Sequence, residues 1–118
     1  MLKRTLTTIV MLLVGFGASL ARAETRSLTV TAFVENQVCM GGDFVRVTFS
    51  ASANSSSQPV GFRWDFTNNG SFDTARSTDP DASAVYPDEA AVTARVGAIN
   101  REGDRVQDTI SFVTLRCE

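Results

Sequence analysis

The stretch FRWDFTNNGSFDT, residues 62–74, decides how the rest of the chain is read. Its first half alternates, with Phe62, Trp64 and Phe66 on one side and Arg63 and Asp65 on the other. A period of two is the period of a β-strand, whose successive side chains point to opposite faces. The alternation stops at Asn68-Asn69-Gly70, residue types that tolerate left-handed backbone angles and mark a turn. A strand with three aromatic residues on one face must bury that face and leave the other polar. Trp64 is therefore expected inside, as an anchor between two layers rather than a platform for sugar stacking.

The same period recurs on both sides of this stretch. Residues 27–35 (SLTVTAFVE) are rich in Thr, Val and Phe. Residues 43–52 alternate around Val45, Val47, Phe49 and Ala51. Residues 92–98 place Val92, Ala94, Val96 and Ala98 inward, with Thr93 and Arg95 outward, and residues 105–116 supply the last strand. The nearest thing to a helix, 88–95, runs straight into a Val-containing alternation and is expected as loop followed by strand. Turn signals stand between the runs: Gly41-Gly42, the Ser-rich 54–59, Asp79-Pro80-Asp81, Pro87-Asp88 and Glu102-Gly103-Asp104. Short strands so punctuated predict an all-β, two-sheet sandwich.

The first residues stand apart. Lys3 and Arg4 precede an apolar run over 9–16, and Ala21-Arg22-Ala23 has the small-x-small form of a cleavage site. This pattern predicts a cleavable secretory signal peptide over residues 1–23. Its apolar run is short of the roughly 20 residues that a membrane span requires, so no span is expected after cleavage. One domain over 24–118 remains. Without Lys3, Arg4 and Arg22, eight arginines face thirteen acids, a net charge of −5. That balance disfavours nucleic acid and anionic lipid as partners. The short leader and a mature chain without lysine point to a secreted or periplasmic protein of a bacterial envelope.

Trp64-Asp65-Phe66 runs into Asn69-Gly70, Tyr86-Pro87-Asp88 forms a turn, and an alternation extends from Val92 to Asn100 with a Gly103 turn. Together these segments resemble a polycystic kidney disease (PKD) domain. The likeness covers about 43–115. Ala84 stands where the family commonly has His, and Thr67-Asn68-Asn69-Gly70 where it often has Gly-Asp-Gly. The resemblance implies an immunoglobulin-like sandwich and a binding or spacing role in exported or surface proteins.

Cys39 and Cys117, the only cysteines, both follow the cleavage site. An even pair in an exported chain reads as a disulfide; two free thiols are the alternative. In an immunoglobulin-like sandwich the first and last strands run in the same direction, which brings the ends of both to one pole. The bond is then geometrically possible, since the Cα atoms must come within about 7 Å. A closed loop of this length stabilises by about 4–5 kcal/mol at most.

Three groups of residues are candidates for function. Asp65, Thr67, Asn69 and Asp73 have the alternate oxygen spacing of a calcium loop, but only two are carboxylates and no Glu closes the set. Asp65 has two local alternatives, accepting from loop N–H groups and pairing across strands with Arg95. The acidic residues Asp79, Asp81, Asp88 and Glu89 read by default as solvated loops. The outer face of the sheet holding Trp64, Val96 and Ile110 is expected to present Arg63, Asp65, Thr93, Arg95, Gln107 and Thr109, a polar surface suited to hydrogen bonding. No histidine is present, the cysteines are expected to be bonded, and no phosphate loop or zinc set occurs, so an enzyme is not expected and no cofactor is called for. The expected function is a non-catalytic binding or adhesion module for a protein or carbohydrate partner. The alternative is a calcium-stabilised spacer.

Overall fold

The computed structural model describes residues 27–118; the expected leader lies outside them. Six strands follow in order: β1 (Leu28–Cys39), β2 (Phe44–Ser55), β3 (Gly61–Asp65), β4 (Ala82–Pro87), β5 (Ala91–Ile99) and β6 (Arg105–Val113). They form two antiparallel sheets of three, ordered β1-β2-β4 and β3-β5-β6. No helix occurs among the described residues.

The inward residues are those that the alternation selects. Val45, Val47, Phe49 and Ala51 of β2 face Phe62 and Trp64 of β3 and Val92, Ala94, Val96 and Ala98 of β5, all buried. Trp64 is 1% exposed and stacks on Phe49 with ring centroids 5.3 Å apart. Among the described residues its Nε1 has no hydrogen-bond partner, and the indole's contribution is the apolar area it buries. Phe66, just past the end of β3, is half-buried, and its ring lies 6.0 Å from that of Phe49.

Two elements differ most from expectation; β2 also runs on to Ser55, and β6 stops at Val113 instead of 116. β1 runs on to Cys39 instead of ending at 35, because Glu35 is an extra residue between Val34↔Phe49 and Asn36↔Thr48. Such a bulge reverses which side chains point inward, and the apolar alternation therefore breaks although the pairing continues. β4 was not expected as a strand. Its Ala-Ser-Ala start has weak β propensity, yet Phe44↔Pro87 through Phe49↔Ala82 pair it with β2.

The expected disulfide is present. Cys39 ends β1, Cys117 lies four residues beyond β6, and their Cα atoms are 5.8 Å apart across a separation of 78 residues. One edge strand of each sheet also makes contacts outside its own sheet. Ala32 N–H on edge strand β1 donates to Asp108 Oδ2 of β6 at 2.8 Å, an inward-pointing carboxylate from the opposite sheet. Along β3, Phe62 and Ser77 exchange backbone hydrogen bonds, and Asp73 N–H donates to Trp64 O at 2.7 Å. Free strand edges invite pairing with other chains, and these contacts cover the edge of β3 and one N–H of β1.

Candidate functional site

The outer face of β3-β5-β6 is built in rows set by strand register. One row is Gly61–Ile99–Arg105, the next Arg63–Gly97–Gln107, the next Asp65–Arg95–Thr109, then Thr93–Ser111, and the last Ala91–Val113. Five of the six residues expected to face outward in this sheet do so as surface or half-buried groups. Asp65 corrects the expectation. It lies on the outer face by alternation, but it is 0% exposed and offers nothing to a partner.

The chain that follows β3 covers it. Asp65 Oδ1 accepts from Asn69 N–H at 3.1 Å and Oδ2 from Gly70 N–H at 3.0 Å. Asn68 and Gly70 take positive φ angles of 54° and 94°, which turn the chain back over the sheet. Asp73 Oδ2 accepts from Phe66 N–H at 2.8 Å, and Thr74 Oγ1 accepts from Trp64 N–H at 2.9 Å, closing the loop against the strand. Phe72 thereby comes to rest on Gly97, where a Cβ would lie 2.7 Å from its Cζ. The Arg63 and Arg95 guanidinium carbons lie 4.2 and 4.3 Å from the Phe72 ring centroid. These are cation–π distances.

Arg95 joins the buried and exposed halves of this face. Its Nη2 donates to Asp65 Oδ2 at 3.0 Å and its Nη1 to Gln107 Oε1 at 2.9 Å, and its side chain is 13% exposed. Burial by itself would raise the Asp65 pKa. The Asn69 and Gly70 N–H groups and the Arg95 guanidinium outweigh it and hold the carboxyl below its ordinary value. Nearby, Tyr86 O–H donates to Phe66 O at 2.7 Å. Burial, then the charges of Asp73 and Asp65, push the phenol up to about 12.

Thr93 is half-buried and shares a 2.8 Å hydroxyl contact with Ser111, while Gln107 and Thr109 are exposed. Three of the four residues with calcium-loop spacing, Asp65, Asn69 and Asp73, turn their side-chain oxygens to N–H donors. The Asp65 and Asp73 carboxylates face N–H groups, Asn69 Oδ1 accepts from Ser71 N–H, and a guanidinium stands 3.0 Å from Asp65. This donor set suits a carboxylate clamp and repels a cation. The acidic loop residues also have local partners. Asp81 accepts from Ser50 O–H at 2.7 Å, Asp79 from Asp81 N–H, and Asp88 from Cys117 N–H, while Glu89 stands 3.7 Å from Arg116.

Phe72, Gly97 and Arg105 belong to this face and were not among the expected residues. Gly97 carried a signal, as the one outward position in 92–98 without a polar side chain.

No family model and no curated protein sequence matches the chain. Among solved structures, it is similar to the crystal structure of the PKD1 domain of Vibrio anguillarum Epp, with a TM-score of 0.55 and 13% identity. The superposition covers 79% of this chain and 99% of that one. The fold is a PKD-like immunoglobulin sandwich. At this identity the similarity speaks for the PKD-like fold alone. The disulfide in that fold suits an oxidising extracellular or envelope compartment. No helix among the described residues is long and apolar enough to cross a membrane.

Proposed function

We propose that this PKD-like domain is a non-catalytic exported binding module that contacts a protein or glycan through the polar outer face of β3-β5-β6. The observation that carries the reading is the Arg95 bridge. It ties a buried carboxylate beneath the face to Gln107 at its surface, so the polar groups are held in place before any partner arrives. Pre-ordered side chains lose less entropy on binding, which favours a recognition surface. The absence of histidine from the sequence supports a non-catalytic role, and the disulfide supports export. The calcium-spacer alternative gains no support from a loop whose carboxylates are already engaged by N–H donors.

The test compares two faces. Arg63→Ala and Thr109→Glu alter this surface without touching Asp65. Thr48→Glu and Ser83→Glu alter the outer face of the other sheet, where the two hydroxyls lie 3.3 Å apart. Binding to a glycan array and to fractionated envelope proteins should fall with the first pair and persist with the second, with melting temperatures close to the parent. Loss confined to the second pair would move the contact surface to the other sheet.

A further inference from the structure

The arginines of the described chain are unevenly placed. Arg95 pairs with Asp65, and Arg116 stands near Glu89 and Glu118. Among the described residues, the other five have no carboxylate within ion-pair distance. Arg46 lies on the opposite sheet, and Arg63, Arg76, Arg101 and Arg105 border a depression at the end of β3-β5-β6 made of two adjoining hollows.

That depression has two parts. A hollow of about 70 Å³ lies over Gly97 between Arg63 on β3 and Arg105 on β6, with Phe72 and Gln107 on its walls. Beside it, and sharing Gly61 and Ile99 with it, is a groove of about 420 Å³ bordered by Arg76, Ser77, Thr78, Asn100 and Arg101. Two of the four arginines are fixed by packing. Arg63 lies on the Phe72 ring, and the Arg76 stem crosses Gly61 so closely that a Cβ there would meet its Cγ at 2.8 Å. The nearest acids in sequence, Glu102 and Asp104, belong to the β5–β6 turn, where Asp104 accepts from Asn100.

We infer that this depression is a subsite for an acidic polysaccharide, whose sugar carboxylates pair with Arg63 and Arg105 in the hollow and with Arg76 and Arg101 in the groove. The inference rests on the reading of this face as the contact surface. A guanidinium fork matches a carboxylate in shape and charge. The hollow has room for a carboxylate, the exposed Ser77 and Thr78 hydroxyls of the groove suit sugar hydroxyls, and Pro59 and Ile99 offer an apolar surface to a sugar ring. Residues 27–118, with seven arginines and twelve acids, are net negative, and duplex DNA, at one charge per roughly 1.7 Å of axis, meets more of that repulsion than a glycan with one carboxylate per sugar. A peptide cannot extend this sheet along β3, because residues 73–77 already occupy that edge.

The experiment titrates the purified disulfide-bonded protein by calorimetry with oligogalacturonate. Parallel titrations use a neutral galactan oligosaccharide, polyglutamate and single-stranded DNA. Oligogalacturonate should bind, weaken with added salt, and lose about tenfold or more in affinity in both Arg63→Gln/Arg105→Gln and Arg76→Gln/Arg101→Gln. The single exposed variant Arg105→Gln guards against misfolding and should show part of the loss. Absence of oligogalacturonate binding, unchanged affinity in the double variants, or equal affinity for polyglutamate or DNA would each overturn the inference. If oligogalacturonate fails while Arg63→Ala and Thr109→Glu still abolish capture of another partner, the acidic-glycan subsite falls and the contact face stands.

Discussion

Arg95 Nη2 and Asp65 Oδ2 meet at 3.0 Å between adjacent strands, beneath a loop that leaves the carboxylate no contact with water. The pair is a fixture of the fold before it is part of any surface. Arg95→Ala strands a buried negative charge, and loss of one partner of such a pair costs about 3–5 kcal/mol. The two loop N–H groups continue to hold Asp65, so the lower end of that range is expected. Denaturant unfolding should show the loss, whereas Arg63→Ala, which leaves the pair intact, should cost much less. Partner binding by an Arg95→Ala variant therefore has to be read alongside its folded fraction.

The same carboxylate gives the domain an acid sensitivity of known sign. Its folded pKa is depressed, so its contribution is complete above the unfolded value and is lost as pH falls through the lower, folded value. Melting temperature should decline as pH drops below about 4. Asp65→Asn lowers stability at neutral pH but should flatten that decline, because the titrating group is gone. An Asp65→Asn variant with the full acid slope would place the linkage on other carboxylates.

The alternation around Trp64, Phe49 and Val96 was sufficient to read the core, because inward apolar side chains repeat wherever a sheet buries one face. Residues 82–87 were not legible as a strand. Ala82 and Ala84 carry too little apolar surface to mark a face, and pairing with β2 decides the matter. The burial of Asp65 was equally hidden. Alternation assigns it to the outside, and only the return of Asn69 and Gly70 over its carboxylate puts it under cover. The Arg95 partnership could be read from strand chemistry, whereas Phe72 and Arg105 depend on register that no local pattern reveals.

Gly97 is predicted to matter through Phe72. A methyl group added there lies 2.7 Å from the ring and displaces it from both guanidiniums. Gly97→Ala should destabilise by about 1 kcal/mol, near the lower end for overpacking, because the half-buried ring can swing outward. In a Phe72→Ala background the obstruction is absent, and the same substitution should be neutral or stabilising, as Ala is favoured over Gly within a strand. A double-mutant cycle on unfolding free energies checks this coupling.

Calcium is predicted to leave the melting temperature unchanged. A ligand that binds only the folded state must raise its stability. The Asp65 and Asp73 carboxylates face N–H donors, so the loop presents no ring of oxygens to a hard cation. Scans in millimolar calcium and in chelator should superimpose. A rise with calcium that disappears in Asp73→Asn would show that the loop rearranges around the ion.

Tyr86 supplies an alkaline counterpart. Its O–H donates to Phe66 O at 2.7 Å and ties β4 to the end of the Trp64 strand. Its folded pKa is raised to about 12, so the native state keeps a proton that the unfolded chain surrenders near pH 10. The contribution is complete below the unfolded value and is lost as pH rises through the folded one, so stability should fall between about pH 10 and 12. Tyr86→Phe leaves Phe66 O without this donor and should cost about 1 kcal/mol at neutral pH. It should also remove the alkaline decline. Spectrophotometric titration at the tyrosinate band reports the phenol directly, since this chain has one tyrosine. A midpoint near 10 in the folded protein would show that burial and the neighbouring carboxylates do not hold the proton.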